Sequence, residues 1–482
     1  MKYSKLVNKV LELNKYIKFS TNDKDLQVIL QKYSNKTEIP KDILINEAHQ
    51  ILSRKINYKE NKIDIFDNRI FFLKNSFNFL ILTLILILKF LIPFKKKIEK
   101  KKYSILVDGI LSKGESERFY HLSTFFEKIC LISKSNYQKN YMGKHIDYFS
   151  YNIFKIFLFN KKKHNFFLIF FQLLFISLKN KKDYFLIFNE ITYKYLKYNF
   201  IFDRIISSYL IQEKFYDTSC IKNYIFKTKG GLITSCVQKN ILELSLSNFI
   251  FIDVFFSLSE KSAEVISILS GKVKKVIPVG SLFMEQAWHL KSKDLKIIPD
   301  YDLLYVGINY IGRKKKFEIL DTTSNLYETF DWIKKISIKF PKIRVAIKHH
   351  DNYLLDKTEA KLLQGANLKI DKNSLGKNKS YSYTFKSKFI CTWGSTMALE
   401  MLGEGKPCYF LDPRNLNDQF FIDYPELNKW RISSYEEFES KVLGQLYENN
   451  GEFVKDPKNY CFKSNTVSEL IYENLTRLRN IK

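Results

Sequence analysis

Two short stretches of this 482-residue chain combine residue types suited to phosphate. Lys348-His349-His350 sets an ammonium beside two imidazoles, directly after the apolar run Ile343–Ile347. Such a cluster of donors matches phosphate oxygens. Adjacent side chains at a strand end point opposite ways, so one histidine of the pair is expected to face a cleft. The second stretch is Thr392-Trp393-Gly394-Ser395-Thr396, which ends the run Phe389–Thr392 and opens a helix to Leu402. Small hydroxyl residues at a helix start leave backbone N–H groups available, and the helix dipole favours an anion there. The same residues serve equally well as plain N-caps. Glu400, about one turn into that helix, is on the face that can look back at a ribose hydroxyl. Gly280-Ser281 closes the run Val276–Val279, where glycine permits close backbone approach to a ligand. Transfer to a hydroxyl needs a base to take its proton. Asp108, at the end of Ile105–Val107, is the first candidate, with Glu117 and Glu115 in the same loop as alternatives.

These residues need strands to end where they begin, and the pattern supplies them. From Tyr103 onward short apolar runs alternate with helical spacing: Ile105–Val107, Cys130–Ile132, Tyr184–Phe188, Leu232–Val237, Val254–Ser257 and Val276–Val279. A second round follows a break near Lys291–Asp300. It holds Leu303–Val306, a helix over Leu326–Phe340, then Ile343–Ile347, Phe389–Thr392 and Cys408–Leu411, with Gly405-Lys406-Pro407 breaking the helix before the last of these. Apolar strands separated by helices imply mostly parallel sheets covered on both faces. The expected fold is α/β, with two tandem Rossmann-like domains at 103–290 (acceptor) and 291–482 (nucleotide donor). The last helix, Val467–Leu478, is a candidate to pack back on the first domain. In such sheets ligands bind beyond the carboxyl ends of the strands. Asp300-Tyr301-Asp302 has the letters of a metal-binding D-x-D element, but it precedes a strand and reads as a linker, so no metal is expected.

Residues 1–102 read as a helical appendage, with Leu6, Val10, Leu13 and Ile17 near one helical face. Within it, 77–94 (FNFLILTLILILKFLIPF) carries a single charge, Lys89, and leads into Lys95, Lys96, Lys97, Lys100, Lys101 and Lys102. A spanning helix needs about 20 apolar residues, so a spanning, an interfacial and a buried core helix all remain open. The basic flank suits an anionic membrane surface. Phe166–Leu178, flanked by Lys161–Lys163 and Lys179–Lys182, is too short to span; it reads first as a core helix, with a second membrane-facing patch as the alternative. The formal net charge is +29, yet only 10 of the 79 basic residues are Arg, and most lysines are expected on solvated surface. The aromatic residues fall in apolar runs and no nucleic-acid-binding motif is present, so no nucleic-acid partner is expected. The six cysteines show no paired C-x-x-C spacing, which argues against zinc and for reduced, buried thiols. No secretory signal is visible in the first 30 residues.

Taken in order, Lys348-His349-His350, Gly394-Ser395-Thr396 with Glu400, Gly405-Lys406-Pro407 and Asp412-Pro413 resemble the donor half of GT-B glycosyltransferases of bacterial envelope polysaccharides. The likeness is to capsule and lipopolysaccharide transferases of Kdo, sialyl and polysialyl types and to teichoic-acid glycerophosphotransferases, and it covers Val276 to Lys482. His350 stands where those proteins have proline. Gln238-Lys239-Asn240 stands where many have Q-H-G, and Val107-Asp108-Gly109 lacks the first acid of the polysialyltransferase element. The resemblance implies a metal-independent enzyme with no cofactor beyond its nucleotide-sugar substrate. It implies donor contacts from Gly280, Ser281, Lys348, His349, His350, Gly394, Ser395, Thr396 and Glu400, and a base at Asp108 or Glu117. The acceptor would be a glycan or glycolipid, and the enzyme would work in the cytoplasm at the inner face of the cytoplasmic membrane. A sugar-nucleotide epimerase of the same shape and a non-catalytic partner of an envelope-assembly complex are the alternatives.

Overall fold

The computed structural model describes residues 15, 17–18, 21–53, 69–91, 99–110, 117–133, 146–152, 155–156, 166–215, 218–240, 250–269, 272–291, 301–307, 322–349, 357–371, 379–416, 425–448, 452–462 and 466–480. Leu6, Val10, Leu13, Glu115, Asp300 and His350 lie outside them. The chain forms two compact units. One comprises 1–256, 266–277 and 471–482; the other comprises 257–265 and 278–470.

The first unit carries a seven-stranded sheet of β1 (Ile105–Ile110), β2 (Ile129–Ser133), β3 (Ile146–Ser150), β4 (Tyr209–Gln212), β5 (Ile233–Val237), β6 (Ile252–Ser257) and β7 (Val273–Pro278). Its order is β3-β2-β1-β4-β5-β6-β7, and the pairings from β3 through β6 are parallel. The second unit carries β8 (Tyr301–Val306), β9 (Val345–Lys348), β10 (Leu368–Asp371), β11 (Ser387–Thr392), β12 (Cys408–Leu411) and β13 (Arg431–Ile432), ordered β10-β9-β8-β11-β12-β13 and all parallel. Both sheets therefore run outward from a central strand and then restart on its other side, the doubly wound arrangement. The α/β expectation holds.

Helices cover the sheets: α1 (Lys24–Thr37), α2 (Lys41–Ser53), α3 (Arg69–Leu91), α4 (Phe167–Asn180), α5 (Phe185–Phe202), α6 (Cys220–Thr228), α7 (Glu260–Leu269), α8 (Leu282–Lys291), α9 (Thr322–Lys339), α10 (Lys357–Leu362), α11 (Lys379–Phe385), α12 (Thr396–Gly403), α13 (Tyr435–Tyr447) and α14 (Val467–Asn480). The run expected as strand Tyr184–Phe188 is the first turn of α5. A four- or five-residue apolar run has no decisive period. Here it begins a helix buried on nearly every side, from Phe185 and Ile187 through Phe202. Conversely, β3, β4 and β10 carry no alternation long enough to announce them. Tyr301 and Asp302 belong to β8 rather than to a linker. Asp302 sits at its amino end against Arg344 and Lys388, each at 3.0 Å.

The domain boundaries also differ from expectation. Residues 278–290 fall in the second unit and 471–482 in the first. The helices α1–α3 are no separate appendage, because α4 and α5 are too apolar to stand uncovered and the earlier helices cover them. Tyr33 of α1 stacks on Phe166, with centroids 5.0 Å apart, and its hydroxyl donates to Thr192 of α5 at 2.9 Å. Glu47 of α2, fully buried, accepts from Ser219 Oγ (2.7 Å) and Ile221 N (3.0 Å) at the start of α6, and from Lys194 Nζ of α5 (2.6 Å). One carboxylate thus satisfies a helix N-terminus and a half-buried lysine. Replacing Glu47 by Ala removes three charge-assisted hydrogen bonds, and urea unfolding followed by circular dichroism should show a loss of about 2–4 kcal/mol.

Candidate functional site

The second sheet settles where its two phosphate-suited stretches begin. Val306, the last residue of the central strand β8, pairs with Lys348 on one side and Thr392 on the other. The Cα atoms of those two residues therefore stand about 10 Å apart, two strand spacings, at the carboxyl edge of one sheet. Thr392 Oγ1 donates to the Val306 carbonyl at 2.7 Å and accepts from Ser395 N at 3.3 Å. That hydroxyl shapes the turn. Ser395 is the N-cap of α12, with φ −85° and ψ 139°, and its Oγ accepts from Met397 N at 3.3 Å. Gly394 is buried, while Ser395 and Thr396 are half-exposed. Capping by Ser395 and an anion-favouring helix start coexist here.

Lys348 and His349 are turned inward, and His350, the other histidine of the pair, lies outside the described residues. Lys348 Nζ donates to the His349 carbonyl at 2.8 Å, and His349 Nε2 lies 2.8 Å from Glu359 of α10. The His349 ring meets Phe330 of α9 edge-on, with centroids 6.0 Å apart, and both Lys348 and His349 are buried. The layer between β9 and its covering helices offers both an acid and an aromatic ring, so the imidazole takes that side.

Beneath the hydroxyl turn, Glu400 is buried and receives hydrogen bonds from Ser281 Oγ and from Tyr381 OH, the latter at 2.7 Å. Sequence reading nominated Glu400 and Ser281 separately, and the fold joins them. Tyr381 carried no signal, since α11 is short and polar. Burial raises the Glu400 carboxyl to about 7, against the two hydroxyl donors, which pull it down. Glu285 of α8, held by Ser468, is likewise raised to about 7 by burial. Gly280 stands at φ +98°, and a Cβ there would come 2.8 Å from the Phe462 carbonyl. The close approach expected at this glycine is thus made by the chain's own backbone. Gly405, at φ +77°, ends the segment after α12, and Lys406 Nζ donates to the Thr384 carbonyl. Asp412 pairs with Arg431 of β13.

In the first unit, the carboxyl ends of β1 and β4 flank the point where the strand order restarts, and Glu213 N donates to the Asp108 carbonyl at 2.9 Å. Asp108 is buried, 2.7 Å from Lys222 Nζ of α6, and accepts from Tyr198 OH at 3.3 Å. Burial pushes its carboxyl up, but Lys222 and Lys197 outweigh that and hold it below the usual range. A carboxylate so held is a weak proton acceptor, and the expectation of Asp108 as base is not favoured by this environment. Glu117 is buried beside Arg118 in sequence. The residue that sequence reading missed is Glu213, fully buried with Arg118 at 3.0 Å, Lys239 at 3.0 Å and Lys214 at 3.6 Å. It follows a strand that was itself unannounced. A cavity of about 590 Å³ lies at the opposite, amino edge of this sheet, among Ser104, Phe125, Tyr209 and Tyr472.

No family model and no curated protein sequence matches this chain. Among solved structures it is similar to UDP-GlcNAc 2-epimerase from Neisseria meningitidis bound to UDP-GlcNAc, at 12% identity over 78% of this chain and 100% of that one, with a TM-score of 0.45. It is similar to Acinetobacter baumannii MurG at 11% identity, covering 78% and 99%, with a TM-score of 0.38. A glycosyl transferase family 9 structure from Veillonella parvula is similar at 12% identity, covering 80% and 99%, with a TM-score of 0.28.

Two outcomes test this geometry. Gly280→Ala should lower the unfolding midpoint by an amount corresponding to roughly 1–3 kcal/mol, through its φ and the clash with Phe462. For Glu400, the folded pKa of about 7 exceeds the ordinary 4.5. Its contribution is full below about pH 4.5 and is lost as pH rises through about 7, because the unfolded chain releases the proton first. Urea titrations at pH 4.5 and pH 7.5 should show a steeper loss for the native protein than for Glu400→Gln, by roughly 1–3 kcal/mol.

Proposed function

We propose that this chain is a metal-independent glycosyltransferase that moves a sugar from a nucleotide-sugar donor to a growing cell-envelope polysaccharide. The observation that carries the reading is the half-exposed helix start Ser395-Thr396, after the buried Gly394, at the carboxyl edge of the second sheet, with the Glu400–Ser281 pair beneath it. In this reading the donor's diphosphate lies against Gly394, Ser395 and Thr396 at the start of α12, where the helix dipole and N–H groups favour negative charge. Glu400 keeps its proton to about pH 7 and so has both a donor and an acceptor to offer a ribose hydroxyl. Gly280 sets the turn that presents Ser281. Lys348 contributes positive field and His349 packing support from behind the turn rather than direct contact, and His350 remains a proposed contact. Developing charge on the leaving nucleotide is met by the helix dipole and lysine, with no cofactor beyond the donor itself.

The acceptor is a glycan or glycolipid. Of the three carboxylates nominated as base, Glu115 lies outside the described residues, Glu117 is the proposed proton acceptor, and Asp108 holds Lys222 and Lys197 in place. The proposed location is the cytoplasm, at the inner face of the cytoplasmic membrane.

Calorimetry against CMP-, UDP-, GDP- and CDP-sugars should find one class that binds. Ser395→Ala with Thr396→Ala should weaken that binding by about 10–100-fold, the loss of one or two hydrogen bonds to a charged group. Melting curves report separately on the lost cap, worth about 1 kcal/mol. Unchanged affinity would sink the site. Incubating the donor without acceptor separates activities: a transferase leaves it nearly intact, an epimerase yields an isomer, and a non-catalytic partner gives no turnover with any acceptor.

A further inference from the structure

Helix α3 is apolar around most of its circumference, yet only one side is covered. Phe79, Thr83 and Leu86 are buried, with Phe79 stacked on Phe170 of α4 at 6.5 Å and tilted against Phe185 of α5 at 5.8 Å. The opposite side, Leu73, Phe77, Ile81 and Leu84, is exposed. Helix α4 repeats the pattern: Ile169, Phe170, Leu173 and Ile176 point into the core, while Phe167, Leu168, Phe171, Phe175 and Leu178 are exposed. Phe77 is 62% and Phe175 68% exposed, values unusual for phenylalanine. These two helices, packed on one another, hold nine of the fourteen exposed large hydrophobic side chains among the described residues. A helix that is apolar all round is ordinarily buried, and a concentrated exposed patch marks an interaction surface.

Charge identifies what covers it. Neither helix contains an acidic residue. Lys74 is exposed beside Leu73, and Lys179, Lys181 and Lys182 follow Leu178 at the end of α4. Asp25, on α1, pairs with Lys179 at 3.0 Å, and Asp183, which follows Lys182, is buried and accepts from Asn75 of α3 at 2.5 Å, so neither acid leaves an exposed, uncompensated negative charge on this border. In sequence, α3 leads into Lys95, Lys96, Lys97, Lys100, Lys101 and Lys102. A second copy of this chain would bring a matching basic border against this one, which is repulsive; an anionic surface is attracted. Length sets the orientation. Leu73 to Leu84 and Leu168 to Leu178 each run about 15–16 Å along their helices, half of a bilayer's hydrocarbon core of about 30 Å. Among the described residues no helix is long and apolar enough to cross a membrane.

We propose that the outward faces of α3 and α4 form a two-helix docking surface that lies in the interface of an anionic lipid bilayer, without spanning it. The apolar side chains enter the boundary between headgroups and acyl chains, and the lysines at the helix ends meet the phosphates. This selects one of the three readings of 77–94, and for α4 it takes the membrane-facing alternative over the core helix. The surface lies wholly in the first unit and needs no nucleotide, so its test is independent of the donor site.

The test is co-sedimentation of the full-length protein with phosphatidylcholine vesicles containing about 30% phosphatidylglycerol, with pure phosphatidylcholine vesicles alongside. The intact protein should pellet with the anionic vesicles, less so at high salt. Phe77→Glu with Phe175→Glu should weaken pelleting at least about tenfold. Because both positions are exposed, the melting temperature should hold, and nucleotide affinity should be unaffected. Three results would overturn the proposal. The intact protein remains in the supernatant at every lipid concentration; the double variant binds as well as the intact protein, leaving lysines alone responsible; or light scattering finds a dimer that the double variant dissolves, so that a second copy covers the face.

Discussion

A parallel ladder dictates where its strands end together, and everything proposed for this protein's chemistry depends on that. Val306 is hydrogen-bonded between two neighbours in fixed register, so Lys348 and Thr392 arrive at its flanks although 44 positions separate them in the chain. The same rule brings Asp108 and Gln212 level across the first sheet, with Glu213 just beyond. Strand order adds the second constraint. Each sheet winds outward and restarts at its centre, which places the carboxyl ends of β8 and β11, and of β1 and β4, at the point where the order reverses.

Those two edges handle buried charge in opposite ways. In the first unit, carboxylates are met by cations: Lys222 and Lys197 hold Asp108 below its usual range, and Arg118, Lys214 and Lys239 surround Glu213. Removing one partner of such a pair leaves an uncompensated charge, so these groups behave as a framework. In the second unit, Glu400 and Glu285 are met by hydroxyls and a backbone N–H, and burial keeps their protons on to about neutrality. A protonated carboxyl beneath an accessible helix start can donate as well as accept. Buried carboxyls held by hydroxyls and N–H groups therefore fall in the second unit, and the rigid ionic framework in the first.

The helical layer of the first unit obeys a third rule, that apolar surface must be covered. Helix α5 is enclosed by α1, α2, α3 and α6 and by the sheet, and Glu47 ties α2 to the start of α6. Among the described residues the outward faces of α3 and α4 are the main exception, and lysines stand at their ends.

What sequence by itself determined was the local: two rounds of apolar strands with intervening helices, the caps and breaks at Ser395 and Gly405, and the nomination of Glu400, Ser281 and Asp108. These follow from burial periodicity and turn chemistry, which operate over a few residues. What tertiary structure decided was the side on which each nominated group would act. His349 turned inward because Glu359 and Phe330 waited there, and Gly280 received the Phe462 carbonyl where a ligand had been expected. Phe185–Phe188 became helix because its surroundings were apolar on every side. Glu213 and Tyr381 surfaced only through partners distant in the chain. Side-chain direction, protonation and exposure are properties of neighbours, and neighbours from remote segments leave no local pattern to read.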